Sequence, residues 1–354
     1  MLRRGIEGLR LKAWSRDTKD QMVSVKNLKE FAELAGVSTA TASRALTGSG
    51  RVSDETRKRI SALAEKLGYQ PNIAARNLRT QRTMTIGVLV PLGHEALQHL
   101  SDPFFNTMTG FLADAFAENG YDMLLSRVLP RNDRWMDRFI ASGRVDGIIV
   151  VGQSDQFHII ETVSRRYRPM VVWGGHSPGQ HHCSIGSDNR LGGRLAAMHL
   201  VERGCRRIAY AGPVDGSEFG ERIDGARMAV LEAGLTPLQE LPTHFEPDAA
   251  YADVRQKLET LSEMPDGIVA GSDVTAISVI RALRDLGRRV PDDVRVIGYD
   301  GLPIGEHMSP PLSTIDQQLR HGAQLLTETL LRRIGGEETA SQQIEPRLIV
   351  RASS

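Results

Sequence analysis

The apolar residues of this chain follow two different patterns, and the change falls near residue 84. Before it they recur at helical spacing, broken at short intervals by glycine. After it, short apolar runs are separated by helical patterns, an alternation that predicts a parallel sheet covered by helices on both faces. The runs lie at 85–90, 121–126, 147–152, 170–175, 207–212, 267–271 and 294–300.

About 270 residues of this alternation are more than one sheet usually carries. We therefore predict an α/β class in which residues 84–354 form two doubly wound parallel-sheet subdomains. Open sheets of this kind bind ligands beyond the carboxyl ends of their strands, so a cleft between the two sheets is the expected binding site.

Two short helices around a glycine are predicted before this core. The apolar face of the first lies within residues 28–35, and Gly36 supplies the backbone freedom for a tight turn. Ser38 caps the second helix, and the pair is typical of a helix-turn-helix. Ser53 then caps a third helix that stops at Gly68, which completes a minimal core.

The charge of the chain is unevenly distributed although its net charge is only +1. Residues 23–82 carry 11 Lys and Arg against 5 Asp and Glu, whereas residues 83–354 carry 27 against 35. A basic unit on an acidic body is typical of a DNA-binding module, because Lys and Arg release phosphate counterions. The alternative, from spacing alone, is a helical bundle whose basic face is merely solvated.

Residues 1–22 show little apolar periodicity, and Met22 directly precedes the first organised segment. We expect a disordered extension or a translation start at Met22. The charges in this stretch leave no core for a signal peptide, and no apolar run approaches the roughly 18 to 20 residues that cross a bilayer. Cys183 and Cys205 alone form neither a disulfide framework nor a zinc site. A cytoplasmic protein without a membrane partner is predicted.

Motifs for catalysis or cofactor binding are missing from the sequence. It contains no GxxxxGK[ST], no GxGxxG after a strand, and no GxSxG, HExxH or paired CxxC. We therefore predict no enzyme activity and no cofactor. The loop at 174–184 holds His176, His181, His182 and Cys183, which have metal-ligand chemistry, but its Ser, Pro, Gly and Gln content favours an ordinary surface loop.

Four side chains near predicted strand ends have the chemistry of a site for a small polar ligand. Phe104 and Phe105 can stack on a ring, Arg222 offers a bidentate fork, and Asp300 can accept from two adjacent hydroxyls. Each has a structural alternative: core packing for the phenylalanines, a surface salt bridge for Arg222 and a helix cap for Asp300.

Together these segments resemble the LacI/GalR family of bacterial transcriptional repressors. The phrases AGVS, SRAL, VSDETR, LGYQPN, TIGVLVP, DPFF, VDGIIV, SDNRLGG, RRIAYAG, SDVTA and VPDDVRVIGYD occur in the family's order over about 330 residues. The resemblance implies a DNA-binding headpiece at 23–70, a hinge helix and linker at 71–83, and an effector-binding and dimerisation core at 84–354. The core is expected to be periplasmic-binding-protein-like.

DNA contacts are expected from two segments. The second helix of a helix-turn-helix lies in the major groove, so its early exposed residues face base edges. In the family, the hinge helix inserts a leucine into the minor groove, and the matching residue here is Leu78. The segment is too short to form a stable helix alone, and an ordinary linker is the alternative. The candidate DNA contacts are Ser38, Thr39, Ala40, Thr41, Ser43, Arg44, Asn72, Ala75, Leu78 and Arg79.

The resemblance also implies an effector pocket. Phe245 resembles an aromatic residue of the purine-binding branch. Some sugar-responsive members place an acidic residue near Trp173-Gly174-Gly175, where this chain has a tryptophan that can stack instead. The candidate effector contacts are Phe104, Phe105, Trp173, Arg222, Phe245, Ser272, Asp273 and Asp300.

The implied function is that of a homodimeric repressor whose affinity for near-palindromic double-stranded operator DNA is controlled by a small-molecule effector. A sugar is favoured, and a purine or other metabolite acting as a corepressor is the alternative. A sugar-binding transport protein would need a signal peptide and would lack residues 25–79, and an enzyme would need a catalytic motif. A dimer is expected because no heptad tail follows the strand predicted within 343–353.

Overall fold

The computed structural model divides into two units, residues up to 81 and residues from 82 onward. It describes Val25 and residues 27–47, 52–69, 82–92, 98–130, 132–214 and 216–354. The extension predicted over 1–22 and the hinge contacts predicted at Asn72, Ala75, Leu78 and Arg79 lie outside these residues.

Three helices form the first unit, α1 Leu28–Ala35, α2 Thr39–Thr47 and α3 Asp54–Leu67. Ser53 caps α3 by accepting from the Thr56 amide, and Ser38 Oγ accepts from the Thr41 amide at the start of α2. Gly36 and Gly68 follow α1 and α3 in the left-handed conformation. The predicted helices and their glycine stops are confirmed.

The core of this unit is small and is shared by all three helices. Phe31 of α1 is fully buried and stacks on Tyr69, with the ring centroids 4.5 Å apart. Ala42 of α2 and Ile60 of α3 belong to the same apolar cluster. Packing between the helices, rather than the stability of any one of them, therefore holds this unit together.

The second unit alternates strands and helices. Its strands are β1 Thr85–Pro91, β2 Asp122–Val128, β3 Gly147–Val151, β4 Met170–Trp173, β5 Ser184–Ser187, β6 Ile208–Gly212, β7 Gln239–Pro242, β8 Gly267–Ala270, β9 Arg295–Asp300, β10 Ser313–Asp316, β11 Gln342–Ile344 and β12 Arg347–Ile349. Its α-helices are α4 Pro103–Glu118, α5 Asp137–Ala141, α6 Phe157–Ser164, α7 Asn189–Glu202, α8 Ser217–Glu232, α9 Pro247–Thr260, α10 Asp273–Asp285 and α11 Leu319–Ile334.

These strands build two six-stranded sheets, in the orders β11-β5-β4-β3-β1-β2 and β12-β10-β9-β8-β6-β7. Neighbouring strands are parallel except β12, which runs antiparallel to β10. Each sheet has an apolar cluster on both faces, with α4 and α11 over one face of the first sheet. Two doubly wound subdomains, as predicted, make up this unit; they are called the first and second subdomains below.

The chain passes between the subdomains three times, between β5 and α7, between β10 and α11, and between β11 and β12. The third passage corrects the sequence analysis, which predicted one strand within 343–353. Glu345 and Pro346 divide that segment, so β11 joins the first sheet and β12 the second. Proline has no amide hydrogen to donate, and a strand is readily interrupted there.

Two buried strands, β5 and β10, were not predicted because they are not apolar runs. Their sequences are SIGS and STID, and their serines and threonine are buried all the same. Across the described ranges, no helix is long and apolar enough to cross a membrane.

Candidate functional site

The outer face of α2 carries most of the predicted base-contacting residues. Thr39, Ala40 and Arg44 are exposed, and so is Ser38 at the start of the helix. Ser43 is only 9% exposed, so the structure places it on the inner side of α2 instead. In the sequence, Ser43 lies between Ala42 and Ala45, which both belong to the apolar core of this unit.

A cavity lies between the two sheets of the second unit, at the carboxyl ends of their strands. Its wall includes Trp173 at the end of β4, Asp300 at the end of β9, and Gln317 directly after β10. It encloses about 910 Å³ of empty space, including its open mouth. Seven of the eight predicted effector contacts line it: Phe104, Phe105, Trp173, Arg222, Phe245, Ser272 and Asp300.

The first subdomain supplies an aromatic wall that is continuous with its core. Phe104 and Phe105 lie in the first turn of α4, and their rings pack edge to face with centroids 5.4 Å apart. Phe105 and Trp173 both belong to the buried apolar cluster of the first sheet. Phe105 and Trp173 therefore pack in the core and also line the cavity.

Arg222 is 5% exposed, which excludes the alternative of a surface salt bridge. Its Nε donates to Asn189 Oδ1 at 2.9 Å and its Nη1 to the Gly271 carbonyl at 2.6 Å. The guanidinium also lies over the Tyr299 ring, 3.9 Å from the centroid. These contacts fix the planar fork at the cavity wall.

Asp300 lies beside Arg222, with Oδ1 3.8 Å from Nη1, and accepts a 2.6 Å hydrogen bond from Gln317 Nε2. Its φ of 124° is in a region that L-residues rarely adopt, a strain found most often at functional sites. Burial raises the pKa of this carboxyl group, and the opposing effects of Arg222 and Gln317 only reduce that rise.

Asp273 is the predicted contact that does not line the cavity. It is 0% exposed, and its two oxygens accept from Thr314 Oγ1 at 2.6 Å and from the Leu302 amide at 2.7 Å. Burial and the nearby charge of Asp300 raise its pKa well above the usual range. Asp273 therefore joins α10 to the ends of β9 and β10, beneath the wall rather than in it.

The sequence analysis missed several wall residues. Asp102 caps α4 and accepts from the Phe104 amide at 2.8 Å, and burial raises its pKa. Phe219 meets Phe245 edge to face at 5.0 Å. Asp102 and Asn189 lie in the phrases DPFF and SDNRLGG, so adjacency to those motifs was an available signal. The residues missed include Gln98, Asp102, Asn189, Glu218, Phe219 and Gln317.

The histidine-rich loop has a structural role. His182 is buried and bonds Glu161 through Nδ1, while Cys183 donates to the Ala340 carbonyl. In the part of the chain that the structure describes, no group of three His, Cys, Asp or Glu side chains is placed to hold a metal ion. Cys183 and Cys205 are both buried free thiols.

Family models match both units of the chain. The model described as "Bacterial regulatory proteins, lacI family" matches residues 27–72, and that described as "Periplasmic binding protein-like domain" matches residues 197–354.

Full-length relatives match as well. The HTH-type transcriptional regulator CelR of Thermobifida fusca is 33% identical over 92% of this chain and 97% of its own length. The HTH-type transcriptional repressor PurR of Aliivibrio salmonicida (strain LFI1238) is 31% identical over 92% of this chain and 98% of its own. Both names describe helix-turn-helix transcriptional regulators, and neither describes an enzyme.

Solved structures agree with these relatives. A complex of the transcriptional regulator CelR with cellobiose matches with a TM-score of 0.67 and 30% identity, covering 93% of this chain and all of that one. The lac repressor dimer bound to operator and the anti-inducer ONPF matches with a TM-score of 0.79 and 25% identity, covering 93% and 98%. The chain belongs to the lacI family of bacterial regulatory proteins.

Proposed function

We propose that this protein is a homodimeric transcriptional repressor that binds a near-palindromic operator and is controlled by a saccharide in the cavity between its two sheets. The observation that carries the proposal is the cavity wall, where aromatic faces from one subdomain oppose the Arg222–Asp300 pair of the other. Aromatic faces stack on the C–H faces of sugar rings, and a carboxylate can accept from neighbouring hydroxyls.

The operator is read by α2 in this proposal. Thr39, Ala40 and Arg44 on its exposed face contact base edges in the major groove. Contacts from Ser38 and Thr41, and minor-groove contacts from Asn72, Ala75, Leu78 and Arg79, stay predictions. Bacterial DNA lies in the cytoplasm, and the protein is proposed to act there.

The three passages between the subdomains provide the route from ligand to DNA. A ligand that contacts both walls changes the angle between the two sheets, because three short segments of chain join the subdomains and the cavity lies between them. Such coupling is reciprocal, so operator and effector change one another's affinity by the same factor. A saccharide is favoured over a purine because the related CelR is solved with cellobiose.

A selection and titration experiment tests the proposal. The purified protein selects from a pool of pseudo-palindromic duplexes, and fluorescence anisotropy then measures its affinity for the selected site with neutral saccharides or purines present. We expect one neutral saccharide to shift operator affinity by about tenfold or more. A shift with a purine alone would support the PurR-like alternative, and an operator affinity that no ligand changes would contradict the effector role.

Arg44→Ala tests the assignment of α2 in the same assay. It should weaken binding to the selected operator by about 1 to 3 kcal/mol and reduce the preference for that site over a scrambled duplex. Arg59→Ala, which removes an exposed arginine from α3, is the control. It should leave that preference unchanged, and equal loss of preference in both variants would contradict base reading by α2.

A further inference from the structure

The segment Gly174–Gly175 of the first subdomain meets the second subdomain at the cavity wall. The Gly175 amide donates to Glu218 Oε1, 3.2 Å away, in the first turn of α8. Glu218 and Gly174 both line the cavity. A carboxylate is thus presented at the position where the sequence analysis found an acidic residue missing, and it comes from the opposite side of the cavity.

Gly174 leaves the space that this carboxylate occupies. A Cβ at position 174 would lie 2.9 Å from Glu218 Oε1, a separation that real Cβ atoms essentially never show, and 3.0 Å from Gln153 Nε2, which is tighter than most real Cβ contacts. A glutamate in the first turn of a helix is also stabilised by the helix dipole. The helix dipole alone would require neither a partner for Glu218 in the other subdomain nor a glycine at position 174.

Hydrogen bonds hold this glycine segment from the side away from the cavity. Gln153 Nε2 donates to the Gly175 carbonyl at 2.9 Å, and Gln153 Oε1 lies 3.0 Å from His182 Nε2. His182 Nδ1 is in turn bonded to Glu161, which also accepts from the His182 amide.

The described wall has a surplus of acidic groups. Its ionisable carboxyl groups are Asp102, Glu218 and Asp300, and its single cation is Arg222. Arg222 is already engaged by Asn189, Gly271 and Asp300. An anionic ligand therefore meets no cation in the described wall that is free of a protein partner.

We propose that Glu218 is the specificity-determining residue of the cavity: its carboxylate accepts hydrogen bonds from hydroxyl groups of a neutral saccharide and excludes anionic analogues. Gln153 and His182 are positioning residues that hold the Gly174–Gly175 segment against it. The inference rests on the proposed function of the core as a saccharide sensor. Because the bond from Gly175 to Glu218 joins the subdomains, a hydroxyl on Glu218 acts directly at their contact.

Calorimetric titration of the full-length protein tests this inference, with cellobiose and glucose as neutral probes and cellobionate, glucuronate and glucose 6-phosphate as their anionic counterparts. The wild type should bind at least one neutral probe more than tenfold tighter than its anionic counterpart. Glu218→Gln keeps the size of the side chain and removes the charge. It should weaken neutral binding about tenfold and reduce the neutral-to-anionic ratio by a similar factor.

Glu232→Gln is the control, since Glu232 lies at the far end of α8, is exposed and does not line the cavity. It should change affinity and ratio less than twofold. The inference is overturned if Glu218→Gln behaves like this control, or if only the anionic probes or a purine bind. An operator affinity that no ligand changes would contradict the proposed function instead, which separates the two failures.

The positioning role is tested by a double-mutant cycle. Gln153→Ala should weaken neutral binding about fivefold in the wild-type background and less than twofold beside Glu218→Gln, because both changes act on the same segment. Equal effects in the two backgrounds would leave Gln153 with a purely structural role and overturn its assignment.

Discussion

The two walls of the cavity are held in place by different forces. On the side of the first subdomain, Phe105 and Trp173 are part of the apolar core, so packing fixes their rings. On the side of the second, Arg222, Asn189 and Asp300 are fixed by hydrogen bonds and by one buried ion pair. The first wall is therefore sensitive to added volume, and the second to the loss of a partner or to pH.

The largest effect is expected from breaking the polar wall with Arg222→Ala. The change leaves the Asp300 carboxyl group buried without its cation and frees Asn189 Oδ1, so the free energy of unfolding should fall by about 3 to 5 kcal/mol. Urea denaturation of the core measures this. Arg227→Ala on the same helix removes an exposed arginine and should cost less than about 1 kcal/mol. Similar costs for the two variants would show that the buried pair is not coupled to folding.

An intermediate effect is expected from adding volume behind the aromatic wall. In Gly322→Ala the new Cβ would lie 2.3 Å from Trp173 Cζ3, so the ring must move and the unfolding free energy should fall by about 1 to 3 kcal/mol. The fluorescence emission of Trp173 should shift with it.

Gly110→Ala makes the same change in helix α4, where a Cβ meets nothing within 4 Å. It should stabilise the protein by about 0.5 to 1 kcal/mol through the unfolded state and leave the emission unchanged. A stabilising Gly322→Ala would contradict the view that packing fixes Trp173.

The smallest effect is expected from pH, through the buried carboxyl groups Asp273 and Asp300. The pKa values of Asp273 and Asp300 are raised by burial, so the folded protein binds more protons than the unfolded chain from about pH 4 up to the raised values. The free energy of unfolding should therefore fall as pH rises through this window. Asp300→Asn should reduce that slope.

Asp285→Asn is a control, because the contribution of Asp285 to stability depends on pH with the opposite sign. The hydrogen bond from Tyr251 lowers the pKa of Asp285, so its contribution to stability grows as pH rises and is lost at low pH. Denaturation midpoints between about pH 2 and 7 compare the three proteins, because the contribution of Asp285 changes at and below about pH 4 and that of Asp300 changes above it. An unchanged slope in Asp300→Asn would contradict the raised pKa of that group.

Local signals were sufficient for the first unit. The caps Ser38 and Ser53 and the glycines at 36 and 68 act within a few residues of their own positions, and the structure has them where the sequence predicts. In the second unit the apolar strands were predicted for the same reason. The polar strands β5 and β10 were not, because they lack the apolar run by which a buried strand is recognised.

The chemistry of the cavity was also foreseen in part. Aromatic and charged residues after apolar strands were expected at the cleft, and seven of the eight candidates line it. Asp273 and Asp300 have the same chemistry and both lie near strand ends, yet only Asp300 faces the cavity. The direction of a side chain at a strand end depends on the residues that pack around it. These neighbours cannot be predicted from the local sequence.

The sequence therefore determined the family, the two kinds of unit and most of the residue types in the cavity, since these follow from local periodicity, capping and motif order. Only the tertiary structure decided that Asp273 lies beneath the wall, that Ser43 faces inward, and that Glu218 meets Gly175 across the cavity. Positions 175 and 218 are brought together by the folding of two separate sheets, and no local pattern encodes a contact of that kind.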